Sequence, residues 1–139
     1  MKIAKEFRWE MGHRLSFHNG KCVNLHGHSY KLIVEFEGTV DGNGMLMDYY
    51  DVKTVVSPIV DKLDHAFMVY DKDTDVIKAL EGLGSNFVLV PYQPTAENIC
   101  GYFLNEIKSA GLPGNITGIK VQVFETENTY AEDSISFKG

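Results

Sequence analysis

Residues 2–11, KIAKEFRWEM, alternate apolar side chains with charged or small ones, and this alternation predicts a first strand with one buried face. The apolar positions that share one parity are Ile3, Phe7, Trp9 and Met11. Continuing that parity places His13 on the apolar face, although Gly12 could introduce a bulge that redirects its side chain. The first strand is therefore expected to carry a histidine at its end.

The same alternation returns twice more along the chain. It predicts strands over residues 29–38, entered through His26 and His28, and over residues 118–125. After a turn near residues 126–128, residues 130–137 can return as a final strand. Amphipathic patterns with apolar residues at steps of three and four separate the first pair of strands from the second pair. These patterns predict two main helices.

The helix predicted over residues 52–63 has Asp48 as a candidate N-cap and carries Pro58 inside its apolar stripe. Because an internal proline removes a backbone hydrogen bond and clashes one turn back, this helix is expected to kink or restart there. The second helix is predicted over residues 96–107, with Thr95 as its cap.

The segment between the helices has a weaker pattern. Residues 71–84 are expected to form a flexible excursion with a little helix, and residues 87–90 a short strand bounded by Asn86 and Pro91. The main elements therefore follow the order ββααββ, which predicts the α+β class.

Composition limits the possible functions. The 139 residues fit one domain, residues 1–139, and a formal net charge of −6 argues against a nucleic-acid partner. No stretch approaches the ~18 apolar residues of a membrane span, and the N-terminal residues lack the apolar run of a secretory signal. The chain is therefore expected in the cytoplasm, without a membrane partner. In that compartment Cys22 and Cys100 are expected to be thiols, with Cys100 in the core.

Metal-binding residue types are concentrated near the second strand, where Cys22, His26 and His28 fall within a span of seven positions. His26 and His28 would project to the same face of an extended chain, and His13 is a third candidate ligand. Three imidazoles with an open position are typical of catalytic zinc. The alternative is a closed structural site in which the Cys22 thiolate is the fourth ligand, at ~2.3 Å from the metal.

Three other polar positions have both a chemical and an ordinary interpretation. Glu125 falls on the apolar parity of the third strand, so it either grips a ligand or marks a strand end that opens to water. Asp64 and His65 could be an acid–base pair, or a helix-capping carboxylate followed by a solvated ring. Arg14 and Lys21 supply local positive charge for a small anionic substrate, unless they are simply solvated.

Five separated motifs follow one another along the chain: His13-Arg14-Leu15; Lys21-Cys22 with His26-Gly27-His28-Ser29-Tyr30; Leu63-Asp64-His65; Pro94-Thr95-Ala96-Glu97-Asn98; and Glu125-Thr126. Together they resemble the 6-pyruvoyl-tetrahydropterin synthase family over nearly the whole chain. Three residues separate Cys22 from His26. This spacing is similar to that of the family's 6-carboxy-tetrahydropterin synthase branch, since the pyruvoyl synthases typically have a longer gap.

The resemblance implies the tunnelling fold, with a four-stranded antiparallel sheet and two helices on one face. In this family the sheets of several subunits close a barrel, usually as a homohexamer of two stacked trimers. Joining sheet edges between subunits removes edges that would otherwise pair with other chains. The resemblance therefore implies active sites that lie between subunits.

The resemblance also implies a role for each matched side chain. The implied zinc ligands are His13, His26 and His28; the proton-abstracting cysteine is Cys22; the acid–histidine pair is Asp64 and His65; the pterin anchor is Glu125; and residues at the rim of the pterin pocket are Thr95 and Glu97. The stretch from Asp71 to Tyr92 is longer than in the shorter family members and could reshape the mouth of the pocket.

The implied enzyme is a zinc-dependent carbon–carbon lyase of queuosine and deazapurine biosynthesis. It would act on 7,8-dihydroneopterin triphosphate, release acetaldehyde and triphosphate, and leave 6-carboxy-5,6,7,8-tetrahydropterin. One alternative is a 6-pyruvoyl-tetrahydropterin synthase, a phosphorus–oxygen lyase. A second is a protein that binds a pterin without catalysis and uses its zinc to hold an oligomer together.

Overall fold

The computed structural model describes residues 1–137. Within that range the strands are β1 (Lys2–His13), β2 (His26–Gly38), β3 (Ala66–Tyr70), β4 (Phe87–Val90), β5 (Ile116–Thr126) and β6 (Thr129–Ser136). The α-helices are α1 (Tyr49–Leu63), α2 (Thr74–Leu83) and α3 (Ala96–Ser109), and a single 3-10 turn covers Lys21–Val23. No helix in this part of the chain is long and apolar enough to cross a bilayer.

The six strands form one sheet in the order β4-β3-β1-β2-β5-β6. The strands β1, β2, β5 and β6 pair antiparallel and correspond to the four strands expected from the sequence. β3 joins the end of β1 in parallel, and β4 pairs in parallel with β3. The α+β class is confirmed, but the sheet is two strands wider and more mixed than expected.

The additional elements lie between the two predicted helices. The predicted strand at residues 87–90 is confirmed as β4. The supposed flexible excursion contains the ten-residue helix α2, and residues 66–70 form the strand β3, which the sequence did not indicate. A short apolar run such as AFMVY directly after a helix cannot be told from a continuing helix by periodicity. Its strand character comes from pairing with β1 on one side and β4 on the other.

The β1–β2 register is continuous through Gly12, which lies opposite Gly27, so the expected possibility of a bulge is not realised. Gly12 is needed for a different reason. A Cβ atom at this position would lie 2.5 Å from the ring of Phe67 on β3. The glycine therefore lets β3 approach β1, and the regular register leaves His13 buried on the apolar face.

The core lies between the sheet and the helices α1 and α3. From β1 and β2 it takes Trp9 and Tyr30, whose rings stack at 4.9 Å, and the helices add residues such as Val56 and Phe103. Helix α2 has a smaller cluster of its own with β3 and β4. Two helices therefore cover the main core, as expected, while α2 belongs to the added parallel part.

Helix capping follows the sequence expectations at both main helices. The Asp48 carboxylate accepts a hydrogen bond from the backbone N–H of Tyr50, and the Thr95 hydroxyl accepts one from Asn98. Helix α1, however, continues through Pro58 and does not restart. Because Val56 and Val60 are buried on either side of the proline, core packing holds both halves of the helix in place.

Candidate functional site

Three histidine rings meet where β1 ends and β2 begins. His13 and His26 lie opposite each other in the β1–β2 register, and His28 follows on the same face. The ring centroids are 4.7 to 5.1 Å apart, and one ligand atom from each residue lies within 4.8 Å of the others. Pairing of the two strands therefore brings the three imidazoles together, as the sequence suggested, and the cluster could hold a metal ion.

Main-chain carbonyls orient two of these rings. His13 Nδ1 donates to the Pro94 carbonyl at 2.7 Å, and His26 Nδ1 donates to the Asn24 carbonyl at 2.7 Å. A carbonyl oxygen only accepts, so each Nδ1 carries a proton, and in the neutral form of the ring Nε2 keeps its lone pair. His13 Nε2 is buried and has no hydrogen-bond partner among the described residues. A bound cation would satisfy that nitrogen, so the donor set fits a metal.

Burial also sets the protonation state of the cluster. The pKa of His13 is lowered to about 4, chiefly by burial; the Pro94 hydrogen bond opposes this shift, and the neighbouring His26 and His28 add to it. The pKa of His28 is also lowered, chiefly by burial and then by His26. These two rings are therefore neutral near pH 7, which is the form that binds metals.

Cys22 lies close in sequence but is not one of the clustered ligand atoms in the described part of the chain. It is a half-buried free thiol on the 3-10 turn Lys21–Val23. Its carbonyl accepts a hydrogen bond from the backbone N–H of Leu15 at 2.8 Å, which closes the loop between β1 and β2. The other cysteine, Cys100, is buried as expected, and burial raises its thiol pKa to about 11.

Glu125, near the end of β5, points toward the histidines. Its Oε2 atom lies 4.0 Å from His28 Nε2. Burial raises the pKa of Glu125, and the negative charge of Glu97 adds to the shift while His26 opposes it. Both glutamates border a cavity of about 460 Å³. Its other lining residues are Ala96, Thr129, Tyr130, Ala131 and Glu132. Thr95 is not among them, because its hydroxyl caps α3.

Asp64 and His65 form a pair at the junction of α1 and β3. Asp64 Oδ1 lies 3.0 Å from His65 Nδ1 and accepts the backbone N–H of Glu10. The His65 side chain is 77% exposed, and the residue has a φ of 60°. Among the described residues, no hydrogen bond or ion pair connects this pair to the clustered histidines, Cys22 or Glu125.

His65 borders a depression of about 490 Å³ on the sheet. It is lined by Glu10 and Gly12 of β1 and by Gly27 and Ser29 of β2, which alternate along their strands with the histidines of the cluster. His26 and His28 border it as well. Because side chains alternate across a strand, the depression opens on the face opposite the three rings. Within one chain, the thickness of the sheet therefore lies between the histidine cluster and the pair Asp64 and His65.

Comparison with known proteins assigns the family. A family model described as 6-pyruvoyl tetrahydropterin synthase matches residues 2–134. The chain belongs to this family.

Relatives of the chain have similar names. The chain is 36% identical to the 6-carboxy-5,6,7,8-tetrahydropterin synthase of Haemophilus influenzae, with 94% of this chain and 96% of the relative aligned. It is 34% identical to the protein of the same name from Aquifex aeolicus, with 94% and 96% covered. Among solved structures, a Plasmodium vivax 6-pyruvoyltetrahydropterin synthase superposes with a TM-score of 0.81 at 20% identity, covering 99% and 98% of the two chains. This likeness confirms the tunnelling fold.

Sequence reasoning missed several groups that support the family's matched residues. The carbonyls of Asn24 and Pro94 had no signal, because a backbone acceptor leaves no mark on residue type. Tyr30 did have a signal in the sequence, since it follows His28 on the same parity. It is buried, and its hydroxyl lies 3.4 Å from His13 Nδ1. Arg14 is partly exposed, and its guanidinium is paired with Asp73, a contact that the sequence did not indicate.

Proposed function

We propose that this chain is a zinc-dependent 6-carboxy-5,6,7,8-tetrahydropterin synthase. It converts 7,8-dihydroneopterin triphosphate and releases acetaldehyde and triphosphate, in queuosine and deazapurine biosynthesis in the cytoplasm. The observation that carries the proposal is the cluster of three imidazoles, two of them oriented by carbonyls, with the orphaned Nε2 of His13, beside the glutamate at position 125. The relatives named as 6-carboxy synthases support the choice of reaction.

Zinc suits the donor set, since three neutral imidazoles with an open position are typical of catalytic zinc. His13, His26 and His28 would hold it. When bound, zinc supplies a Lewis acid that can acidify the side-chain hydroxyls of the substrate. The chain's own part is to keep His13 and His28 neutral by burial and to fix the rings of His13 and His26 by the two carbonyl hydrogen bonds.

Glu125 binds the pterin ring. A carboxylate can accept two parallel hydrogen bonds, from the ring N–H and from the exocyclic amine. The cavity beside Glu125 has room for a bicyclic ring, and its half-buried position strengthens such bonds by excluding water. Glu97 borders the same cavity and could contact the ring, whereas Thr95 contributes by holding the first turn of α3 in place.

Cys22 removes a proton from substrate carbon, and His65, oriented by Asp64, serves as the partner acid or base. A base must stay outside the metal's coordination shell, and the absence of Cys22 from the ligand cluster of the described chain supports this role. The Asp64 carboxylate lies 3.0 Å from His65 Nδ1, so the other ring nitrogen, His65 Nε2, is the one available for proton transfer.

A neighbouring subunit completes the site. His65 opens on the sheet face opposite the three rings, so a second copy is required to bring an acid–histidine pair to each cluster. The sheet has edges suited to such assembly: β3 covers β1 only near Met11 and Gly12, and β6 pairs on one side. We infer a homo-oligomer of the whole domain, residues 1–139, built as two stacked trimers.

The experiment incubates the zinc-loaded protein with 7,8-dihydroneopterin triphosphate and identifies the products by mass. Acetaldehyde with 6-carboxytetrahydropterin is the expected result. A pyruvoyl product would move the chain to the other branch of the family, although three residues between Cys22 and His26 argue against that branch.

The Cys22→Ala variant separates catalysis from a structural metal. It is expected to retain zinc and the oligomer but lose turnover. Loss of zinc and assembly together would favour the non-catalytic, structural-zinc reading, and unchanged substrate with the wild-type protein would refute the synthase proposal.

A further inference from the structure

Arg14 and Asp73 form an ion pair next to the histidine cluster. Arg14 Nε donates to Asp73 Oδ2 at 2.7 Å, and Arg14 Nη2 donates to Oδ1 at 2.6 Å. The Asp73 side chain is 6% exposed and that of Arg14 is 25% exposed. A two-point pair of this kind fixes the relative orientation of its partners as well as their separation. It joins the residue after His13 to the segment between β3 and α2.

The Asp73 side chain pairs with Arg14 and does not cap helix α2. It occupies the N-cap position of α2, where an aspartate usually accepts a hydrogen bond from the first turn, but its side chain makes no such bond. Asp48 and Thr95, at the same position of α1 and α3, both cap their helices. A departure from local preference at one helix of three indicates a competing requirement, and here that requirement is the contact with Arg14.

The loop that Arg14 begins has little else to hold it. None of residues 14–25 is buried, so no apolar side chain anchors this stretch in the core. Besides the ion pair, a hydrogen bond from Gln93 to Ser16 ties it to a distant part of the chain. Within the loop, Leu15 N–H donates to the Cys22 carbonyl at 2.8 Å. A continuous series of contacts and bonds therefore runs from Asp73 through Arg14 and Leu15 to Cys22.

We propose that the Arg14–Asp73 pair positions the Cys22 loop, so that residues 71–92, the long segment of this chain, contribute to the site without touching substrate. Its catalytic part rests on the proposed function, in which Cys22 moves a proton. Proton transfer requires the base within hydrogen-bond reach of the reacting atom, and small displacements cost large factors in rate. Arg14 and Asp73 are thus positioning residues.

The test compares Asp73→Asn with wild type and with Asp71→Asn, a matched exposed position two residues earlier. Asparagine retains the shape of aspartate and can cap α2, so the variant is expected to fold. Peptide-resolved alkylation of Cys22 in the zinc-loaded protein, without substrate, should be about threefold faster or more, because a released loop opens more often. The value of kcat should fall about tenfold or more with KM and zinc content unchanged.

Arg14→Lys, which keeps the charge but loses the two-point contact, should show the same changes to a smaller extent. Combining it with Asp73→Asn should add little, because both act through one contact. Unchanged alkylation of Cys22 in Asp73→Asn, or equal changes in Asp71→Asn, would overturn the proposal. Loss of zinc from Asp73→Asn would also overturn it, since the pair would then act on His13. If the wild type makes no pterin product, the alkylation result still decides whether the pair positions the loop.

Discussion

The chain has two imidazole groups in the proposed site, the cluster of His13, His26 and His28 and the exposed His65, and they differ in how completely one chain builds them. His13 is 2% exposed, bonded to a main-chain carbonyl and surrounded by the other two rings of its cluster. The His65 side chain is 77% exposed, and its one oriented contact is with the adjacent Asp64. Burial and the hydrogen bonds of His13 and His26 hold the first group in place before any ligand arrives, whereas the second has one neighbouring carboxylate and an open surface.

This difference separates two functions within the proposed site. A metal site benefits from ligands held in advance, because each ring that must be ordered on binding reduces affinity. A proton donor must contact the substrate in a site that excludes water. An exposed imidazole beside a carboxylate can do this only when another surface covers it. The first group is therefore complete in one chain, and the second is expected to become functional on assembly.

Removal of a clustered ring should have the largest effect. His13→Ala is expected to weaken zinc binding by at least about a hundredfold and to abolish turnover, because losing only a group that hydrogen-bonds to a metal ligand already costs about 10–100-fold. Competition with a chromophoric chelator measures the affinity. His18→Ala is the matched control, since His18 lies exposed in the loop and outside the cluster. Equal zinc affinity for His13→Ala and wild type would remove the basis of the metal site.

Removal of the exposed ring should affect rate alone. His65→Asn is chosen because asparagine tolerates the positive φ of 60° found there. The variant is expected to lose about 10²–10⁴ in kcat while zinc content stays unchanged, since general acid–base groups contribute that much. Steady-state kinetics and metal analysis on the same sample test both statements.

Mixing variants tests whether the two groups meet across subunits. Hybrids reassembled from His65→Asn and Cys22→Ala chains should regain about a quarter of the sites if each site takes these residues from different chains. Each variant reassembled alone should stay inactive. Failure of verified hybrids to regain activity would place Cys22 and His65 of one chain in the same site and contradict the inferred assembly.

The sequence predicted the antiparallel part of the fold better than the parallel part. Strands β1, β2 and β5 alternate between more buried and more exposed residues, so their alternation is visible in residue types, and β6, which has no buried residue, was expected as the return after a turn. β3 is short and mostly buried, and its sequence AFMVY has no alternation to detect. Its place depends on pairing with Met11 and Gly12, which are remote in sequence.

The same distinction applies to the candidate site. The clustering of His13, His26 and His28 could be predicted because strand parity and adjacent strands determine it. The contact of Arg14 with Asp73 could not, because it joins residues 59 positions apart through a helix that the pattern left undefined. Likewise, the position of His65 on the opposite face of the sheet could not be predicted, since a turn with positive φ sets its direction.

The pterin anchor should have an intermediate effect. Glu125→Gln replaces a carboxylate by a group with one accepting oxygen, so one of two parallel hydrogen bonds to the ring is lost. KM is expected to rise about tenfold to a hundredfold, since hydrogen bonds to charged groups are worth about 1.5–3 kcal/mol. Zinc content should not change. Glu127→Gln, two residues along and exposed, is the matched control. An unchanged KM in Glu125→Gln would contradict the anchoring role.

The smallest effect is expected at the junction between the two imidazole groups. Gly12 precedes His13, and an added Cβ would meet the ring of Phe67, two residues after His65. Gly12→Ala should therefore push β3 from β1 and lower the free energy of unfolding by about 1–3 kcal/mol. Gly42→Ala, where nothing lies within 4 Å of the added atom, should be nearly neutral. Thermal unfolding of the zinc-free proteins measures both. Because Gly12→Ala displaces β3 and leaves the β1–β2 register intact, kcat should fall with little change in zinc affinity; weakened zinc binding instead would mean that β3 also supports the histidine cluster.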